Sequence, residues 1–523
     1  MRDAIRVSLD RIGLGMSTCV LLLFVTACAP HIIKFDPPQG NVGTLVTIEG
    51  ERFGATVAEN TVKFQGVAVP PTDITSASKT KITAKVPAGA TTGLISVTTS
   101  KGTGYSDVNF VVPSPPKWTF MVYLDADNNL ESAGLDDFIE MAAVGSSAAL
   151  NIVVQMDRTP ASNSSYGYSS AYGNWASTRR FLIAKNSNPS ATPIQDLGEQ
   201  NMGDPTVLRD FVEWAITNYP AEHYALVIWN HGGGWRFLMD RLAEKVRASR
   251  SRGGADWGVT RTVASDETDG DELYMSEVQT ALEAAKARLE GRLNTSVKLD
   301  VLGFDACLMG MVEVAYAVRN VTSYVVGSEE TEPGPGWPYD TVLADVAANP
   351  SIAPKDLAST IVTRYGASYS SGVTQSAVDI AALNGLVQRI DSFASAANAE
   401  WATLKAVRAS TRQYHYDNLQ TTWGADLCDF ADRVYSQVSS AALKNAAMDV
   451  KTAVQSFVIK EHHSSNMAGS NGVAIYFPPT NAEYSADPEH TGYEQNNTFM
   501  VVQFVRDHLW DNWLTTYNSS IPP

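Results

Sequence analysis

The sequence has little cysteine, a shortage of positive charge and no long apolar run. Four cysteines occur in 523 residues, at positions 19, 28, 307 and 428. Only Cys307 and Cys428 lie beyond the first thirty residues, too few for the disulfide framework that holds small exported domains together. A single bridge between them stays open at this stage, and it would leave no free thiol. Lys and Arg number 39 against 56 Asp and Glu, a formal charge of −17. That excess of acid excludes a nucleic-acid partner, because phosphate binding needs clustered cations. No apolar stretch approaches the roughly 20 residues of a permanent membrane span. What remains is a globular composition, 44% hydrophobic and 18% charged, in a chain long enough for two or three domains.

The first residues read as an export signal. Arg2, Arg6 and Arg11 precede the apolar stretch Val20–Val25, and Val25-Thr26-Ala27-Cys28 closes it with small residues before a cysteine. This segment resembles the lipobox of bacterial lipoproteins. The resemblance implies a signal peptide over 1–27, a lipid on Cys28, and a membrane-anchored protein facing the periplasm or the cell exterior.

Residues 28–112 carry short Val/Ile/Thr/Phe runs (Leu45–Ile48, Thr61–Phe64, Lys81–Val86, Leu94–Thr98, Val108–Val112) between Gly, Pro and Asn turn signals. That pattern predicts a small all-β sandwich. Pro37, Pro38, Gly40, Gly43, Gly50, Phe53-Gly54, Val62-Lys63-Phe64 and Val86-Pro87 resemble the IPT/TIG immunoglobulin-like family, whose members serve as spacers or binding platforms. Residues 113–117, with Pro113-Ser114-Pro115-Pro116, form a stiff linker.

Over 118–523 the pattern becomes α/β. Thr119–Leu124, Asn151–Met156, Tyr224–Trp229, Leu299–Phe304 and Ser323–Gly327 read as buried strands. Val207–Asn218 and Glu277–Arg292 are the clearest helices, with Ser276 and Gln279 as a candidate capping box for the second. Asp379–Ala394 and Val502–Tyr517 also have helical spacing, and Gly472–Phe477 reads as a strand closed by Pro478-Pro479. Alternation of this kind predicts a largely parallel sheet covered by helices on both faces.

Two of the predicted strands end on reactive side chains. Tyr224–Trp229 runs into Asn230-His231-Gly232-Gly233-Gly234-Trp235, and Leu299–Phe304 runs into Asp305-Ala306-Cys307. Ligands collect at the carboxyl ends of parallel strands, so neighbouring strands would set an imidazole beside a thiol. A cysteine nucleophile needs such a base, together with backbone N–H groups for an oxyanion. The Gly232 and Cys307 N–H groups are the candidates for that hole. A helix expected over Leu308–Val318 would place the thiolate at its positive end. Taken singly, His231 is a core or loop histidine and Cys307 a small buried apolar group. Cys428, in a stretch of helical spacing, is read as structural.

Tyr123–Glu131, Asn230–Trp235, Phe304–Met309, Ser328-Glu329-Glu330-Thr331-Glu332-Pro333-Gly334, Gly336-Trp337, Ser376–Asp379 and the Gly472–Pro478 segment together resemble the clostripain family of cysteine peptidases. The resemblance spans nearly everything after residue 117. It implies a caspase-like α/β sandwich, a His231–Cys307 dyad, and endopeptidase action on proteins or peptides with basic residues. It also implies that Asp305, two residues before the thiol, lies at the base of the pocket that selects Arg or Lys. The alternative is a carboxylate that caps a loop or bonds backbone amides.

Between the two motifs lie Arg236, Arg241, Lys245, Arg247, Arg250 and Arg252. Such a run is ordinarily a solvated surface. In an enzyme that cuts after basic residues, Lys245, Arg247, Arg250 and Arg252 are also self-cleavage candidates. Asp266–Glu272 is an acidic cluster without the spacing of an EF-hand loop, read as a solvated turn; Ca²⁺ as a structural or activating ion is what the resemblance implies there. His462-His463 lacks the further ligands of a zinc site, so no metal is assigned and no cofactor is required. Two rival readings remain: a catalytically silent adhesin or binding scaffold, and a cysteine hydrolase or transpeptidase acting on another amide. Oligomeric state is not readable.

Overall fold

The computed structural model describes residues 29–113, 115–161, 168–235, 263–414, 423–487, 490–494 and 502–520. Cys28 and the basic residues 236–252 therefore lie outside the described residues. The chain divides into two compact units, Met1–Ser114 and Pro115–Pro523.

The first unit is a sandwich of two antiparallel sheets. One sheet orders His31–Asp36, Leu45–Glu51, Lys81–Lys85 and Ile74–Ala77; the other orders Val67–Ala68, Thr61–Phe64, Gly93–Thr99 and Gly102–Phe110. Alternate residues point inward, so Val46, Ile48, Val62, Phe64, Ile82, Ile95, Val97 and Phe110 form the core. The last strand ends at Phe110 instead of running from Val108 to Val112.

In the second unit, nine strands form one sheet: β1 (Trp118–Ala126), β2 (Leu150–Arg158), β3 (Arg179–Leu182), β4 (Gln195–Asp196), β5 (His223–Trp229), β6 (Leu299–Asp305), β7 (Thr322–Gly327), β8 (Thr374–Asp379) and β9 (Val458–His463). Their spatial order is β4-β3-β2-β1-β5-β6-β7-β8-β9. Strands β2, β1, β5, β6 and β7 run parallel, and antiparallel strands extend the sheet at both ends. The parallel strands are apolar on both faces because both faces are covered; all of β1 and β2 is buried. One face packs on α1 (Glu131–Val144), Tyr339–Ala348 and Pro354–Ser368. The other packs on α2 (Pro205–Asn218), α3 (Met275–Leu293) and the C-terminal helices.

Three local expectations fail for physical reasons. Helix α3 starts at Met275, and the Glu277 carboxylate accepts from the Tyr274 N–H at 3.0 Å, so Ser276 lies inside the helix and is not its cap. The Val502–Tyr517 helix is two helices, Gln503–Asp507 and Trp510–Ser520. The break is pinned by Asp391, which takes the Leu509 N–H and pairs with His508, both at 2.8 Å. The helix after Cys307 is only Val312–Ala317. Leu308 sits in the left-handed region at φ 62°, and the Gly310 N–H is taken by the Ser328 carbonyl at 2.6 Å. Cys307 is therefore not at a helix N-terminus.

Candidate active site

The register of β5 on β6 sets the site. Ala225 pairs with Val301 and Trp229 with Asp305, so both strands end at the same level, and His231 and Cys307 each follow two residues beyond that last pair. Just past the strand ends, the backbones touch. A Cβ on Gly232 would lie 2.0 Å from the Cys307 carbonyl oxygen and 2.5 Å from its nitrogen. Only glycine permits that approach, which brings the two expected oxyanion-hole residues, Gly232 and Cys307, against one another.

His231 is held by the asparagines around it. Its backbone N–H donates to the Asn230 side-chain oxygen. The Asn230 amide donates in turn to the Asp125 carbonyl at 3.0 Å, to the Asp125 carboxylate at 2.7 Å and to the Ser265 carbonyl at 3.2 Å. The ring Nε2 lies 2.6 Å from Asn129 Oδ1. An amide oxygen only accepts, so Nε2 carries the proton and Nδ1 keeps the lone pair a base needs. Desolvation pushes the imidazole down to about 4, which leaves it neutral at neutral pH. Asn129 does not stand out in the sequence, because nothing in Asp127-Asn128-Asn129 separates a side chain that orients a base from one that shapes a turn.

Cys307 and Cys428 are both free thiols, so no bridge joins them. Cys428 is buried on the helix Leu427–Gln437, where desolvation raises its thiol to about 12. Cys307 instead receives the Glu332 N–H on its sulfur at 3.2 Å. A donor there favours thiolate, the role that a helix N-terminus was expected to fill.

Asp305 is buried, 4% exposed, with its carboxylate taking the Trp337 N–H at 3.2 Å and the Tyr339 hydroxyl at 2.9 Å. Gly336, at φ 60°, brings the chain so close that a Cβ would stand 2.9 Å from both Asp305 oxygens. Burial raises Asp305 to about 6, with the Glu332 carboxyl beside it. Burial and the Asp305 charge hold Glu332 well above the ordinary carboxyl range. Two ionised carboxylates repel, which favours the protonated form of Glu332. Of the three glutamates after β7, Glu332 thus adjoins Asp305, and Gln375 donates to it at 3.0 Å. Glu329 turns away to take the Gly472 N–H, and the Glu330 carbonyl receives the Leu308 N–H. Asp266, from the acidic stretch read as a solvated turn, is fully buried.

Comparison with known proteins agrees with this architecture. Residues 30–112 match the IPT/TIG domain, and residues 122–517 match the family model described as the clostripain family. The chain is 33% identical to clostripain of Hathewaya histolytica over 247 residues, 44% of this chain and 42% of that protein, so the match spans less than half of the relative's length. A secreted C11 cysteine protease from Bacteroides thetaiotaomicron, solved with an irreversible peptide inhibitor, superposes with a TM-score of 0.50 at 22% identity, over 76% of this chain and 99% of that one. An inactive zymogen C11 protease from Parabacteroides distasonis gives 0.51 at 18% identity, over 76% and 99%. Both likenesses are of fold. With the family match covering well over half of its length, this chain belongs to the clostripain family of cysteine peptidases.

Proposed function

We propose that this chain is a cysteine endopeptidase cleaving after Arg or Lys, with Cys307 as nucleophile and His231 as its base. The observation that supports the reading is the β5–β6 register, whose last pair Trp229–Asp305 lies two residues before both His231 and Cys307, while the Asp305–Glu332 acid pair adjoins the thiol through the Glu332 N–H. His231 Nδ1 takes the thiol proton as Sγ attacks the scissile carbonyl. The Gly232 and Cys307 N–H groups receive the oxyanion. Collapse expels the amine, which takes the proton from His231 and leaves a thioester on Cys307. Water, deprotonated by the same imidazole, hydrolyses it and frees the thiol. A guanidinium or ammonium reaching Asp305 and Glu332 favours ionisation of both, the Glu332 proton passing to solvent, and makes a charge-assisted contact with them.

The test is labelling by an irreversible arginyl or lysyl ketone probe, alongside turnover of peptides with Arg, Lys or neutral residues at the cleaved bond. Wild type should be labelled and should prefer basic residues, whereas Cys307→Ala should do neither. No labelling at all would favour a silent binding scaffold. Turnover without basic preference would leave a hydrolase or transpeptidase on another amide. The anchor is a proposal on the same footing: incorporation of a lipid label should vanish in Cys28→Ala. On that reading the β-sandwich is a spacer. No helix among the described residues is long and apolar enough to cross a membrane.

A further inference from the structure

The loop beyond His231 is made of Gly232, Gly233 and Gly234, residues whose backbones lose the most freedom on ordering. Asn230 fixes the start of this loop. Its far end is fixed by Trp235, the first large side chain after the glycines, which is 3% exposed. The indole lies 5.0 Å from the Tyr476 ring at 72° and 4.9 Å from the Tyr493 ring at 59°. The two tyrosine rings are themselves 4.5 Å apart. Tilted and edge-to-face contacts of this kind stabilise beyond plain burial.

The same C-terminal segment grips the loop of Cys307. The Ala474 N–H donates to the Gly310 carbonyl at 2.8 Å, and Ala474 pairs in parallel with Met311. Glu313, buried in the first turn of Val312–Ala317, takes the Tyr476 N–H at 2.9 Å and the Tyr493 hydroxyl at 2.6 Å on one carboxylate oxygen. Tyr476 is held from behind as well. Its hydroxyl donates to Asp487 at 2.8 Å, and its carbonyl accepts from the Trp510 indole at 2.9 Å. The two loops also press on one another: a Cβ on Gly234 would stand 2.6 Å from Met311 Sδ and 3.1 Å from the Leu308 carbonyl oxygen. Trp235, Tyr476 and Tyr493 therefore clamp both loops from one side.

We infer that Trp235 is a positioning residue for the reaction, its indole tying the glycine loop after His231 to the segment that holds the Cys307 loop. Three glycines cannot transmit the fixed position of β5 to that loop's far end, so the indole must anchor it. A misplacement of about 1 Å between reacting groups costs roughly 10²-fold in rate, which is the scale on which such an anchor matters. The clamp packs with α2 and α3 on one face of the sheet, whereas Trp337 and Tyr339, which hold Asp305, pack on the other. Loss of the indole therefore acts on the chemical step and leaves recognition of the basic side chain in place. This role rests on the proposed His231–Cys307 dyad.

The test compares Trp235→Phe, Trp235→Leu and Trp235→Ala with wild type, all as full-length protein, on a peptide with Arg or Lys at the cleaved bond. Rates are expressed per Cys307 labelled to completion by the arginyl or lysyl ketone probe, so that unfolded molecules are not counted. Trp235→Ala should lose at least about tenfold in kcat with KM within about twofold of wild type. Trp235→Phe keeps a ring against the tyrosines and should recover most of that loss, with Trp235→Leu between the two. If Trp235→Ala does not fold, the Phe and Leu variants carry the comparison. An unchanged kcat per labelled thiol, with only Tm lowered, overturns the role and leaves Trp235 as core packing. A raised KM at unchanged kcat overturns it too, by placing the indole in substrate binding. A wild type that cleaves nothing overturns the dyad and this role with it, whereas an active wild type beside an equally active Trp235→Ala overturns this role alone.

Discussion

Asp305 and Glu332 are neighbouring buried carboxyls, both raised above their ordinary range, and the Glu332 backbone N–H donates to the Cys307 sulfur at 3.2 Å. The acid pair and the thiol are thus one unit, in which the charge that would recognise a basic residue is built onto the nucleophile's own support.

That unit predicts a split pH dependence. Below about 6 Asp305 takes up a proton and its negative charge is lost, so kcat/KM for Arg and Lys substrates should fall on an acid limb near 6. Substrates with a neutral residue do not use that charge. Their acid limb should lie lower, toward the value of about 4 for His231. Coincident limbs for both substrate types would remove Asp305 from recognition. The sign for stability is opposite. The folded value of Asp305 is raised, so its contribution is greatest below the ordinary carboxyl range and is lost as pH rises through about 6. Asp305→Asn should accordingly lose less Tm than wild type between about pH 5 and pH 8 in buffered thermal scans, with both ends chosen about one unit or more from the transition.

Asn129 acts on the reaction through His231. Asn129→Ala should lower kcat roughly tenfold with little change in KM, since it frees the ring without touching substrate. Asn129→Asp restores an acceptor and adds charge beside Nε2, so it should recover much of kcat and move the His231 acid limb upward. A pH profile unchanged in both variants would make Asn129 a turn residue.

Gly232→Ala sets a methyl 2.0 Å from the Cys307 carbonyl oxygen. The strand ends must part, at a cost of roughly 1–3 kcal/mol in denaturant titrations, and probe labelling of Cys307 should slow at least about tenfold. Normal labelling would mean that the two backbones do not need this contact.

Cys307→Ala and His231→Ala should each remove amide hydrolysis by several orders of magnitude with the circular dichroism spectrum intact, whereas Cys428→Ser should retain it. Wild type, but not Cys307→Ala, should also separate by intact mass into two fragments cut between residues 236 and 252. An uncut wild type with full activity would return Lys245, Arg247, Arg250 and Arg252 to a solvated surface.

The two strand-end motifs were legible because a parallel strand covered on both faces must be apolar throughout, and the residues just beyond such a run are exposed by default. The misreadings share another cause. Leu308–Val318 has helical composition, but the Ser328 carbonyl and a left-handed Leu308 divert it, and those are contacts to the end of β7 that no local window contains. Asp266 sits in an acidic run of the usual solvated kind, yet the Met202 N–H and the ends of β1 and β2 enclose it. Asn129 acquires its neighbour only when the ends of β1 and β5 converge, and Glu332 only when the segment after β7 meets the end of β6.

The order of the strands gives the seam between β5 and β6 a meaning in time. Everything from β1 to β5 precedes residues 236–262 in the chain, and everything from β6 to β9 comes after them, while α2 packs on α3 across the same boundary. A cut in that interval would turn the middle of one sheet into an interface between two polypeptides, with His231 on one and Cys307 on the other. Such a molecule must fold before it is cut. Once cut and unfolded, its halves would have to find each other again at their dilution in the surroundings, so the nicked form would be a single-use machine where the intact chain can recover.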